Sequence, residues 1–339
     1  MNSGYTVFGR STPVFPKFQP DFPWIGGDLQ TLKNTLFWNQ LAFEKRHQTR
    51  LKFPMSDSTG DTLLGLYDKP PGQTALPLII LVHGLTGCEE SRNVVTSAYH
   101  FVSEGFPVLR LNLRGAGPSL GTCMQHYHAG RTQDIADVID GLPEALTKFG
   151  IALVGVSLGG NLVLKFVGED LAPSSVKAAV SICAPINLRI AQQCIMSPRN
   201  RLYHHYIVTR MKMDALNGTS NEQKESLIYR LKHVKTVYDF DERIVAIDNG
   251  FRDAETYYRT CSSGQFINKI RIPTLLIHAE NDPWVPLSMY LERNWAVDGS
   301  VSLVISRDGG HVGFHARGLD TPWQNVCIST FLKKELGGY

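Results

Sequence analysis

The stretch IALVGVSLGGN at 151–161 constrains this chain more than any other. A β-branched and aliphatic run, Ile151 to Val156, is closed by a serine flanked at two-residue spacing by Gly155 and Gly159. A serine aimed out of the end of a buried strand sits on a strand-to-helix turn too sharp for bulky neighbours, and this G-x-S-x-G spacing removes the side chains that would crowd it. Leu158 to Glu169 then reads as a helix with apolar residues at Leu162, Phe166 and Val167. Ser157 is therefore a candidate nucleophile at a strand end, with the Leu158 amide directly behind it.

A serine hydroxyl needs an imidazole to take its proton and a carboxylate to hold that imidazole in one tautomer. On a strand-turn-helix scaffold of this kind the chain order is serine, acid, histidine. The apolar run Pro273 to Ala279 breaks into Glu280, Asn281, Asp282 and Pro283, and the run Val301 to Ser306 leads into Arg307, Asp308, Gly309, Gly310 and His311. Asp282 and His311 thus lie on loops just past strand ends, with Glu280 and Asp308 as alternative acids. Asp282 could also be a plain turn or cap residue before Pro283. A developing oxyanion needs a second amide, from the loop after an earlier strand. Leu76 to Val82 is such a strand, and it runs into His83, Gly84, Leu85, Thr86 and Gly87. Leu85 is the candidate donor, and His83, at a strand end beside glycine, reads as a prop for the loop.

Strand-like segments at Thr49–Met55 and Thr62–Tyr67 flank a turn at Asp57–Gly60. Strands near Leu78, Val108, Ala152, Val176, Thr274 and Val301 then alternate with helical stretches such as Thr132–Lys148, which predicts a parallel sheet covered on both faces. The first fifty residues carry Phe15, Phe18, Phe22, Trp24, Phe37 and Trp38, a composition that predicts packing against the core rather than disorder. Residues 189–270 form the one long interruption of the alternation, and a connection so far beyond the usual length predicts a helical cap over the site.

Taken together, GGDLQTL (26–32), HGLTG (83–87), LNLRG (111–115), YHAGRTQD (127–134), SLGGN (157–161), NDPWVP (281–286) and GGHVGF (309–314) make the chain resemble the α/β-hydrolase superfamily, in its YheT-like branch of esterase- and lipase-like proteins. The resemblance implies a mostly parallel eight-stranded sheet with helices on both faces and a helical cap insertion. It also implies Ser157 as nucleophile, Asp282 as acid and His311 as base. Relatives usually carry histidine where this chain has Asp28, so the resemblance assigns residue 28 no role.

The chain is long enough, at 339 residues and 43% hydrophobic content, to bury a large core as a single domain. A net charge of +3 is too slight to point to a nucleic-acid partner. Its six cysteines are widely spaced without C-x-x-C clusters, which argues against a disulfide framework or a thiolate zinc site and suits a cytoplasmic setting. The opening MNSGYTVFGR lacks a basic-then-apolar leader and no apolar run reaches membrane-spanning length, so a protein without an integral membrane segment is expected. His311 and His315 are four apart, and His126 and His128 are close, but neither pair has the glutamate of an H-E-x-x-H helix; no metal and no cofactor are expected. In the insertion, Arg199, Arg201, Arg210 and Lys212 gather with Tyr203, His204, His205 and Tyr206. A solvated helix face is the plain reading, and a cationic rim for an anionic head group or an interface is the other.

The expected activity is hydrolysis of a small-molecule or lipid-like acyl ester through an acyl-enzyme. An acyltransferase using the same intermediate and a ligand-binding protein without turnover are the alternatives.

Overall fold

The computed structural model describes residues 4–36, 48–217, 221–296 and 299–337. Nine strands, β1 (Tyr5–Gly9), β2 (Gln48–Pro54), β3 (Thr62–Asp68), β4 (Leu78–Val82), β5 (Val108–Leu111), β6 (Ile151–Val156), β7 (Val176–Ile182), β8 (Thr274–Ala279) and β9 (Val301–Ser306), form one sheet in the order β1-β9-β8-β7-β6-β4-β5-β3-β2. β5, β4, β6, β7, β8 and β9 run parallel, while β1 at one edge and β3 and β2 at the other pair antiparallel. Every residue of β4, β5, β6, β8 and β9 is buried, as expected for strands covered on both faces. Alternate residues feed two apolar layers: Leu78, Ile80 and Val82 join one, Ile79 and Leu81 the other. The sheet has one strand more than the expected eight. The extra strand is β1, whose short YTVFG run gives little sequence signal and pairs residue for residue with β9.

The helices are α1 (Gly27–Leu36), α2 (Arg92–Ser103), α3 (Thr132–Asp140), α4 (Glu144–Thr147), α5 (Leu158–Gly168), α6 (Leu188–Ile195), α7 (Arg201–Asn217), α8 (Asn221–Lys232), α9 (Val237–Phe240), α10 (Ala254–Cys261), α11 (Ser288–Leu291) and α12 (Trp323–Leu336). The single helix expected over Thr132–Lys148 is two, because α3 ends at Gly141 and Pro143 starts a new turn at α4. Five of the helices, α6 to α10, lie between β7 and β8. α7 to α9 build an apolar cluster of their own around Ile207, Met211, Leu231 and Phe240, while Tyr257, Tyr258 and Cys261 of α10 pack in another with Ala129 and Leu158. In the N-terminal segment Phe15 and Phe18 are buried against Trp323, whereas Phe22 is 81% exposed. Phe37 and Trp38 lie outside the described residues.

β4 passes to β5 on one side while β6 lies on its other side, so the strand order reverses at β4. A reversal of this kind leaves a crevice beyond the carboxyl ends of the strands, where ligands bind in open α/β sheets. The loops carrying Leu85, Ser157, Asp282 and His311 all leave carboxyl ends of strands, β4, β6, β8 and β9. No described helix is long and apolar enough to cross a membrane.

Candidate active site

Ser157 occupies the turn between β6 and α5 with φ 53° and ψ −117°, a conformation few non-glycine residues adopt. The glycines around it are required by contact. A Cβ on Gly155 would collide with the Gly159 carbonyl, and one on Gly159 with the carbonyls of Val82 and His83 at the end of β4. The Ser157 amide is tied to the Ile182 carbonyl at 2.8 Å, which fixes the elbow against β7. Thr86, Cys183 and Val312 also take positive φ around this crevice, so strain gathers where the loops meet.

The structure brings the three separated side chains into one line. Ser157 Oγ lies 2.9 Å from His311 Nε2, and His311 Nδ1 lies 2.8 Å from Asp282 Oδ2. Asp282 Oδ1 accepts the amides of Trp284 and Val285 at 2.8 and 3.0 Å, so the carboxylate cannot rotate away. Burial would raise the Asp282 carboxyl, but the adjacent His311 and these hydrogen bonds hold it below its ordinary value. An ionised Asp282 accepts a hydrogen bond from Nδ1–H, which leaves the Nε2 lone pair to face the serine hydroxyl. Of the alternative acids, Glu280 is exposed, and Asp308 accepts from the Gly26 and Gly309 amides and from Asn281 Nδ2.

Among the described residues, neither the Leu158 nor the Leu85 amide has a hydrogen-bond acceptor. Leu158 N–H is free because α5 begins there and the first amides of a helix lack intrahelical partners. The loop carrying Leu85 is held from two sides. Buried His83 accepts the Leu113 amide at Nε2 (3.1 Å) and donates from Nδ1 to the Gly84 carbonyl (2.8 Å), and desolvation pushes its pKa down to about 4, keeping it neutral. Tyr127, of the YHAGRTQD segment, accepts the Thr86 amide at 2.6 Å.

The histidine loop has a support whose residues carry no catalytic signature in the sequence. α1, which carries most of GGDLQTL, lies along it: His311 N donates to Thr31 Oγ1 (2.8 Å), His315 N donates to Gln30 Oε1 (2.6 Å), and Gln30 Nε2 donates back to the His315 carbonyl (3.0 Å). The signal available in sequence was only that GGDLQTL and GGHVGF occur together. Asp28, left without a role, accepts from Tyr203 Oη (3.0 Å) and pairs with Arg199 Nη2 (2.7 Å). Tyr203 in turn packs edge-on against Trp284, whose ring covers His311 with centroids 4.5 Å apart. The LNLRG and RTQD segments also meet, since buried Arg114 binds Asp134 (2.6 Å) and Asp61 (2.8 Å).

Cys183, Asp282 and His311 offer donor atoms within 4.8 Å of one another, the spacing of a metal cluster. That donor set is engaged already. His311 Nδ1 and Asp282 Oδ2 bind each other, and burial holds the Cys183 thiol well above its ordinary value, so it carries its proton. All six cysteines are free thiols. His126 and His128 flank the Tyr127 loop and line the cavity, and desolvation pushes His128 down to about 3.

Ser157 opens into a cavity of about 1100 Å³. Its walls include Ala191, Ile207, Met211, Phe240 and Ile244 from the long insertion and Trp284 above His311. Of the carboxylates that line it, Glu90, Asp214, Asp241 and Asp248, Asp241 is the buried one: it accepts from Tyr258 Oη at 2.6 Å and is pushed up to about 7 by desolvation.

An elbow serine at the carboxyl edge of a mostly parallel sheet, facing a histidine loop after the last parallel strand, defines the α/β-hydrolase fold. Residues 73–295, roughly two thirds of the chain, match the family Hydrolase_4, described as serine aminopeptidase, S33; the chain belongs to this family, within the YheT-like branch of the α/β-hydrolases. It is 28% identical to YheT of Escherichia coli K12 over 84% of this chain and 83% of that one. It is 27% identical to the monoacylglycerol lipase of Saccharomyces cerevisiae over 76% of this chain and 59% of that one. The esterase Pf2001 of Pyrococcus furiosus shares the fold, with a TM-score of 0.57 at 15% identity over 88% of this chain and 98% of that one.

Proposed function

We propose that this protein is a carboxylic-ester hydrolase that works through an acyl-enzyme on Ser157. The single observation that carries the reading is the aligned contact Ser157 Oγ, His311 Nε2 and Asp282 Oδ2, at 2.9 and 2.8 Å. His311 Nε2 takes the hydroxyl proton as Ser157 attacks the ester carbonyl, and the Leu85 and Leu158 amides receive the charge that develops on oxygen. His311 passes that proton to the departing alcohol, then activates water to release the acid, with Asp282 holding the ring throughout. No step needs a metal or an organic cofactor.

The apolar walls of the cavity support an acyl ester with a substantial hydrocarbon part, and the yeast relative is named a monoacylglycerol lipase. Residues 189–270 act as a cap that shapes the acyl pocket and excludes water, on a single domain spanning 1–339 whose first fifty residues brace the core. A cytoplasmic setting belongs to the same proposal. The test is turnover of nitrophenyl esters of graded acyl length, beside a monoacylglycerol and a lysophospholipid, by the wild type and Ser157→Ala. Ester cleavage lost in Ser157→Ala supports the reading, and cleavage that persists undiminished overturns it. Adding alcohols and analysing the products separates hydrolysis from acyl transfer to those alcohols.

A further inference from the structure

α7 carries apolar residues on two faces. Ile207, Val208 and Met211 are buried inward. Leu202, Tyr206 and Met213 form a second stripe at i, i+4 and i+11 that points to solvent, with exposures of 86, 55 and 48%. Helical periodicity puts Arg201, His205 and Lys212 along one flank of that stripe and Arg210 along the other. Among the described residues, Arg201 and Lys212 have no carboxylate partner. The N-terminal segment is tied to the chain beside the start of α7. Asp28 binds both Arg199 and Tyr203 at the start of α7, and its neighbours Ile25 and Leu29 are 53 and 42% exposed. Tyr206 and Arg210 also line the cavity that holds Ser157, so the exposed crest lies along the mouth of that cavity.

Large apolar side chains left in water cost free energy unless something covers them, and scattered single residues would need no explanation, but these lie in register on one helix. Apolar residues flanked by cations are the pattern of a helix that rests in the plane of a bilayer surface, burying its crest among acyl chains while basic side chains meet anionic head groups. We infer that the exposed face of α7, together with Ile25 and Leu29, docks this protein reversibly on an anionic lipid surface with the cavity mouth facing the bilayer. The occupant is a lipid surface rather than a second copy of the chain, because the cations flanking the stripe are complementary to anionic head groups and would repel themselves across a twofold contact.

The experiment is flotation with vesicles of phosphatidylcholine alone and vesicles holding about one third phosphatidylglycerol. It compares the wild type, Leu202→Asp with Met213→Asp, and Arg201→Glu with Lys212→Glu. The wild type should partition onto the anionic vesicles and far less onto the neutral ones, and both double variants should lose about 10-fold or more of that binding while their turnover of a soluble short-chain ester stays within about twofold. Ser157→Ala should float as the wild type does, so the docking surface and the esterase reading fail separately. Wild-type protein that ignores both vesicles, double variants that bind like the wild type, equal binding to neutral and anionic vesicles, or a dimer in solution that the Leu202→Asp and Met213→Asp pair disperses would each overturn the inference.

Discussion

The backbone amide of His311 donates to Thr31 Oγ1 at 2.8 Å, and the same hydroxyl donates to the Gly27 carbonyl at 2.6 Å. One threonine of α1 therefore sets the height of the loop that carries the imidazole. Thr31→Val removes both bonds while keeping the shape, and it should lower kcat about 10-fold with little change in KM, because a small displacement of a reacting group costs rate more than binding. Thr31→Ser should stay near the wild type. Steady-state kinetics on one ester check both; a Thr31→Val enzyme as fast as the wild type would mean that α1 does not position the histidine.

Asp282→Asn keeps the size of the side chain but places an amide where a carboxylate accepts the Nδ1 proton. The ring then tends to carry its proton on Nε2, facing the serine, and kcat should fall by about 10⁴. In the wild type the Asp282 carboxyl is held below its ordinary value. A depressed carboxylate contributes stability above its unfolded pKa and loses it as pH falls through the folded value. The wild type should therefore lose more stability than Asp282→Asn on acidification below about pH 4, as measured by denaturant unfolding.

Asp241 has the opposite sign. Its pKa is raised by burial to about 7, so between the unfolded carboxyl value near 4 and about 7 the unfolded chain sheds a proton that the folded protein keeps, and stability falls as pH rises across that window. Asp241→Asn retains an acceptor for Tyr258 and has no charge to form. It should match the wild type near pH 4 and exceed it by a few kcal/mol, about 4 at most, at pH 8. Urea unfolding at the two pH values decides this, and a variant less stable at pH 8 would show that Asp241 is held ionised.

Arg114 is buried among Asp61, Asp134 and the partly exposed Asp57. Removing one carboxylate leaves a buried guanidinium short of a partner, which costs about 3 kcal/mol or more. Asp134→Ala should show that loss in unfolding experiments, whereas Asp137→Ala, on the exposed side of α3, should cost under about 1 kcal/mol. Equal losses would remove the special place given to the cluster.

What the sequence made legible was whatever has a local signature. Gly155 and Gly159 announce the elbow because backbone contacts there exclude every other residue type, and the buried strands announce themselves by composition. The loop residues Asp282 and His311 could be nominated because they follow such strands. Residues whose work depends on partners far away in the chain were silent. Thr31 and Gln30 look like ordinary helix residues until the fold lays α1 against residues 311–315. Asp308 looked like a possible acid, and only its three donors show it to be a brace. β1 was missed because an edge strand of five residues needs its partner β9 to exist. The stripe on α7 was hidden by its inner face, since apolar residues on both sides of a helix blur the periodicity that would expose either.

The proposed mechanism requires that Ser157 Oγ be the atom that bonds to substrate, and the most direct measurement is the site of covalent labelling by a fluorophosphonate, mapped by mass spectrometry of the digested protein. The adduct should sit on Ser157, and Ser157→Ala, folded by circular dichroism, should take up none. An adduct on any other residue, or undiminished labelling of Ser157→Ala, would contradict the mechanism at its first step.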